Sequence, residues 1–130
     1  MDLTGDIVKG HIRYANECLI VAQAAIAGGN FRSSVNRSYY CVFNCVQALL
    51  AAEGISYKKH SAVIGHFRKN YIHSKIFDVK LSDIISELFD ERNDCDYDMD
   101  HYTDEDAARA KMEDAVYFLE EVERYIAEKG

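Results

Sequence analysis

Arg92 stands where a helical stripe of Leu81, Ile85 and Leu88 calls for another apolar side chain, the four residues falling at spacings of four, three and four. A charge at such a position has to be paired, because a buried ion left without its partner costs on the order of 3–5 kcal/mol. Two kinds of partner fit. Asp96 lies one helical turn on and suits a structural ion pair. Alternatively the guanidinium is aimed into a cleft, where its planar fork suits a phosphate or carboxylate held bidentately. Tyr97 stands five positions beyond Arg92, and His101 follows with eight residues between.

The same region reads DCDYDMDHYTDE from Asp94 to Glu105. Set against a calcium loop of the EF-hand kind, Asp94, Asp96, Asp98 and Asp100 take positions one, three, five and seven, and Glu105 takes twelve. The sixth position is Met99, where such a loop needs glycine for its sharp turn. A mixed account competes with a cation binder. Asp96 and Tyr97 then belong with Arg92, Asp98 to Asp100 form a solvated turn, and Asp104 to Asp106 sit at the favourable N-terminal end of a helix.

A second candidate group lies upstream. Arg37, Tyr40, Cys41 and Asn44 share one helical edge, either as a boundary stripe over the core or as a further anion contact for Arg92. His60 and His66 fall in a basic segment that also holds Lys58, Lys59, Arg68, Lys69, Lys75 and Lys80, and either can supply an imidazole. Cys41 and Cys45 are one helical turn apart, but no further ligand pair completes a zinc site, so they read as core and no metal is expected. No phosphate loop, nucleophile elbow or zinc-protease motif occurs, and no cofactor is implied.

The elements that must position these residues are helical. The chain has 130 residues and no proline, and 48% of it is apolar. That length suits a single domain spanning residues 1–130, and the absence of proline removes the main interruption to long helices. Val8, Ile12, Ala15, Leu19, Ala22 and Ile26 form one seam, stopped by Gly28 and Gly29. Asn30 is placed to cap a second helix lined by Tyr39, Phe43, Val46 and Leu50, which ends at Gly54. Ser61 is placed to cap a shorter helix that ends near His73. Arg92 ends the stripe of the fourth helix, and Thr103 is placed to cap a fifth with the seam Ala108, Met112, Ala115, Leu119, Val122 and Ile126. The fold class expected is all-α, an up-and-down four-helix bundle with one additional short helix.

Net charge is -7, which argues against a general nucleic-acid coat while leaving the local basic segment in place. No apolar run is long enough to span a bilayer, and the start of the chain lacks a signal-peptide layout, so a cytoplasmic protein with reduced thiols is expected.

The segments RSYYCVFNCVQALLAAEG, KKHSAVIGHF, ERNDCDYD and TDEDAARAKMEDAVYFLEEV together resemble the HEPN superfamily of small helical bundles, from about Asn30 to Ile126. The resemblance is to a branch that carries an arginine, a few residues and Asp-Tyr at this helix end. It extends to helical domains that follow, or are encoded beside, a minimal nucleotidyltransferase. In nuclease branches an arginine and, after four to six residues, a histidine meet across a homodimer interface and cleave RNA without metal. Arg92 matches that arginine, whereas Tyr97 stands near the histidine's place and His101 lies further on. His60 matches a histidine common in the resembled branch.

The resemblance therefore implies a toxin–antitoxin type protein that binds, and on one reading cleaves, RNA around Arg92, with Tyr97 or His101 as catalytic partners. Arg37, Tyr40, Asn44, His60 and Asp96 are the candidate nucleotide or RNA contacts. The alternative is a non-catalytic nucleotide-binding or partner subunit of a minimal nucleotidyltransferase, with Tyr97 or Tyr102 as acceptor hydroxyls. A homodimer is expected in either case, and no membrane association.

Overall fold

A computed structural model describes residues 1–130. Helices α1 (Asp6–Ala27), α2 (Phe31–Ala52), α3 (His60–Phe67), α4 (Val79–Tyr97) and α5 (Glu105–Lys129) account for the fold, with a π-helical turn, Arg68–Ile72, extending α3. The chain is an all-α bundle of four long helices and one short one. No helix is long and apolar enough to cross a membrane.

The bundle is built around α2, which packs against α1, α3, α4 and α5. Its anticipated apolar line, Tyr39, Phe43, Val46 and Leu50, is buried, but so are Cys41, Val42, Cys45, Ala48 and Leu49. Cys41 and Asn44, read as part of a polar edge, are therefore interior residues. Of the α1 seam, Val8, Ala15, Ala22 and Ile26 are buried and Ile12 and Leu19 partly so, with Cys18 buried beside them. Of the α5 seam, Ala108, Ala115, Leu119 and Val122 are buried and Met112 and Ile126 partly so, with Phe118 buried beside them. All four cysteines are buried free thiols.

The α1–α2 turn closes at Gly29, whose φ of 77° lies in the left-handed region that glycine occupies without penalty. Asn30 follows it, but its side chain makes no capping bond. Ser61 lies inside α3 rather than before it, because the helix already begins at His60. At the other end of the chain the cap of α5 is Asp104, whose carboxylate accepts a hydrogen bond from the Ala107 amide at 2.8 Å. Thr103, one residue earlier, leaves its hydroxyl buried without a partner. Both residue types suit the role, and the register of the loop decides between them.

A small apolar cluster of Ile26, Val35, Cys95 and Ala108 joins the ends of all four long helices and fixes the C-terminal turn of α4. Arg32 on α2 reinforces it by donating to the carbonyls of Cys95, of Asp98 at 3.0 Å and of His101 at 3.0 Å. These bonds satisfy carbonyls that the end of a helix leaves without intrahelical donors.

The cap assignment gives opposite expectations for adjacent residues. Asp104→Ala is expected to cost about 1 kcal/mol in denaturant unfolding. Thr103→Val removes a hydroxyl with no partner and is expected to be neutral or stabilising. The reverse order would contradict this register.

Candidate functional site

Helix α4 carries Leu81, Ile85 and Leu88 into the core and presents Arg92 next along the same stripe. The Arg92 side chain is only 14% exposed. One terminal nitrogen donates to the Tyr40 hydroxyl at 3.0 Å, and the other to Asn93 Oδ1 at 3.1 Å. Nε lies 3.0 Å from Asp96 Oδ2, one turn on. Its N–H does not point along that line, so the contact is an ion pair rather than an aligned hydrogen bond.

The guanidinium carbon also lies 5.4 Å from the ring centres of Tyr39 and Tyr40 and 5.9 Å from that of Tyr97. These distances are within reach of cation–π attraction. Charge pairing and an aromatic wall thus hold one side chain from three directions.

Asp96 joins this group to α2. It accepts from Asn36 Nδ2 at 3.2 Å, and the Asn36 carbonyl accepts from Arg37 Nε at 3.0 Å and from an Arg37 terminal nitrogen at 2.7 Å. Arg37 in turn donates to the Tyr14 hydroxyl of α1 at 3.2 Å and sits 5.1 Å from the Tyr40 ring centre. Arg32, Ser33, Asn36, Arg37 and Asp96 line an open cavity of about 720 Å³ beside this network. Two arginines face it against one carboxylate, which suits an anionic ligand.

Beside the same tyrosine pair, His60 begins α3. Its Nδ1 lies 2.9 Å from the Tyr39 hydroxyl, and its ring stacks on Phe43 with centres 4.0 Å apart. Burial, with Arg92 as a second cause, holds this imidazole below its ordinary value. Burial also pushes the Tyr39 hydroxyl far above the usual tyrosine range, so it stays a phenol at any working pH.

Three of the candidate residues are placed elsewhere or at the margin. Asn44 faces α1, where its carbonyl oxygen meets His11 Nδ1 at 3.0 Å, while its amide donates to the Tyr40 carbonyl at 2.8 Å. His101 meets Glu91 at 2.7 Å, and Glu91 and Arg92 point about 100° apart around α4. Tyr97, the last residue of α4, is 77% exposed at the outer edge of the Arg92 cluster.

The calcium-loop alternative is corrected by the extent of α4. Asp94 and Asp96 lie within the helix, about 200° apart around its axis, and cannot converge on one ion. Asp98 is the helix C-cap and accepts from the Asp100 amide at 3.0 Å, as a solvated turn does. Glu91, Cys95 and His101 do bring donor atoms within 4.8 Å of one another. The cysteine of that trio is a buried thiol, pushed up to about 11 by burial and by Glu91.

A family model described as HEPN domain matches residues 8–125, which include every residue named around Arg92. The chain belongs to the HEPN family. It is 31% identical to a UPF0332 protein of Thermotoga maritima over 120 residues, covering 92% of this chain and 91% of that one. Two proteins of Methanocaldococcus jannaschii, each carrying the name "Putative toxin", are also similar. One is 34% identical over 97 residues, 75% of this chain and 66% of its own length. The other is 27% identical over 121 residues, 93% of this chain and 90% of its own length.

Within this HEPN chain the site draws on residues that the spacing of Arg92 and Asp96 does not reveal. Asn36, Asn93 and Tyr39 complete the network, and Arg32 fixes the backbone on which it rests. Tyr39 and Tyr40 give a partial signal, because two adjacent tyrosines on one helix place one hydroxyl toward α3 and the other toward α4.

The two placed histidines are expected to titrate in opposite directions from about 6.5. Hydrogen bonding to Glu91 raises His101, whereas burial lowers His60. With its folded value above the unfolded one, His101 stabilises the fold below about pH 6.5 and loses that contribution as pH rises through the folded value. NMR titration with Glu91→Gln checks this. His101 should fall back toward its ordinary value while His60 stays put, and an unchanged His101 would contradict the pairing.

Proposed function

We propose that this protein binds RNA through its phosphodiester backbone at the Arg92 site and cleaves it without a metal ion, as a HEPN protein of toxin type. The observation that carries the reading is the state of Arg92. It is a nearly buried guanidinium held by Tyr40, Asn93 and Asp96 and walled by three aromatic rings, and its partner Asp96 lines a cavity with Arg37. A guanidinium fixed in advance loses little freedom on binding a phosphate, and it stabilises negative charge developing during cleavage. The toxin names of the two Methanocaldococcus relatives support the toxin part of this reading.

The working unit proposed is a homodimer. Ile7, Tyr14 and Val21 recur every seven residues along α1 and remain 70%, 42% and 50% exposed. Seven residues return to nearly the same helix face, so they form one apolar stripe. The stripe reaches the site, since Tyr14 bonds Arg37 and Val21 lines the cavity that Arg37 lines. A second copy seated along α1 would bring two Arg92 sites toward one RNA strand.

A second reading rests on the exposure of Tyr97 and Tyr102, at 77% and 80%. Such phenols are open to group transfer, which supports a role as the modified partner of a minimal nucleotidyltransferase. On this reading the protein is non-catalytic, and Arg92 holds an anion without cleaving it.

Cleavage of single-stranded RNA in EDTA tests the leading reading, with light scattering run on the same samples. Wild-type protein is expected to be a dimer and to cleave, and Arg92→Ala to lose at least about 100-fold in rate, as when one preorganised charge donor is removed. A monomer that leaves RNA intact would contradict the proposal, and binding without cleavage would favour the partner-subunit reading.

A further inference from the structure

Metal-free cleavage needs a group that accepts a proton near neutral pH, and Tyr97 is unsuited because a phenol ordinarily loses its proton only near pH 10. The five histidines are His11, His60, His66, His73 and His101. His11 meets Asn44, His66 is held between Glu53 and Tyr57, and His101 is held by Glu91. His73 lies exposed after the π-helical turn. His60 alone shares its aromatic surroundings with Arg92.

The two groups adjoin the same pair of rings. The His60 ring centre lies 5.9 Å from that of Tyr39 and 6.1 Å from that of Tyr40, and the Arg92 guanidinium carbon lies 5.4 Å from each. Stacking on Phe43 and the contact of Nδ1 with the Tyr39 hydroxyl fix the plane of the imidazole. Nε2 has no partner within the protein, and the residue is partly exposed. When Nδ1–H donates to the Tyr39 oxygen, Nε2 carries the free lone pair that a base requires.

We infer that His60, supplied by the start of α3 and not by the segment after Arg92, is the general base for RNA cleavage at the Arg92 site. The inference rests on the ribonuclease reading above. The RNA 2′-oxygen attacks the adjacent phosphorus while its proton passes to His60 Nε2, and the bond from phosphorus to the 5′-oxygen breaks. The departing 5′-oxygen takes a proton from water, and His60 returns its proton to the hydroxide so formed. The products are a 2′,3′-cyclic phosphate and a 5′-hydroxyl, and Arg92 faces the charge on the phosphoryl oxygens.

The electrostatics of the pocket agree with this role. Tyr39 and Tyr40 from α2 and Arg92 from α4 are the titratable groups packed around the ring, and burial together with the Arg92 charge favours its neutral form. A neutral imidazole is the form that accepts a proton.

The test measures kcat/KM against pH in EDTA, on a single-stranded RNA oligonucleotide, for the full chain and for Arg92→Ala, His60→Gln and His60→Ala. Circular dichroism checks that each variant is folded. Wild-type activity should rise with pH through a value below 6.5. His60→Gln should lose about 100-fold or more and lack that rise, and added imidazole should restore part of the activity of His60→Ala. Cleavage abolished by Arg92→Ala but untouched in rate and pH profile by His60→Gln would overturn the assignment of His60 alone. No cleavage by the wild-type protein would overturn both the assignment and the reading beneath it.

Discussion

The structure around the site depends on one constraint, that a guanidinium placed on an apolar helical stripe must find its partners inside the bundle. Arg92 meets it with Asp96 on its own helix and with Tyr40 on α2, and each partner is itself tied to something further away. Asp96 is held by Asn36, Asn36 by Arg37, and Arg37 by Tyr14, so one charge on α4 connects to α2 and α1. Low dielectric strengthens such a chain when every member is paired and penalises it when one is lost. The site is therefore part of what holds α1, α2 and α4 in register.

This arrangement needs α2 at the centre. A helix that touches the four others can offer Tyr39 to α3, Tyr40 to α4 and Asn44 to α1 within two turns. The small cluster of Ile26, Val35, Cys95 and Ala108, with Arg32 across the last carbonyls of α4, then fixes the helix end on which Asp96 and Tyr97 stand. The chain belongs to the HEPN family, and these local contacts explain how its residues furnish this end of the bundle.

Much of this was legible before the structure. The seams Val8 to Ile26 and Ala108 to Ile126 follow a helical period, and the misfit of Arg92 on its stripe points to the charge that organises the site. Pairings between distant segments were not legible. Tyr39 and His60 are 21 residues apart, and nothing local tells a tyrosine in an apolar line that its hydroxyl meets an imidazole. Nor does spacing tell that His101 turns to Glu91, which depends on a loop held by Arg32 from α2. The acidic run admitted two readings. Alternation allowed a cation loop, but the helix continues through Tyr97 and turns its first carboxylates apart, which leaves the mixed account of ion pair, solvated turn and helix cap.

The central claim is that Arg92 is an anion-binding group fixed before its ligand arrives. Its Nε–H resonance, followed by NMR while a 2′-deoxy dinucleotide that resists cleavage is added, reports on that directly. The account predicts a sharp, slowly exchanging signal in the free protein that shifts on addition, together with the side-chain signals of Arg37. An Arg92 signal unmoved at saturating ligand, with shifts confined to Lys58, Lys59 and Lys69, would place binding on the exposed basic segment and contradict it.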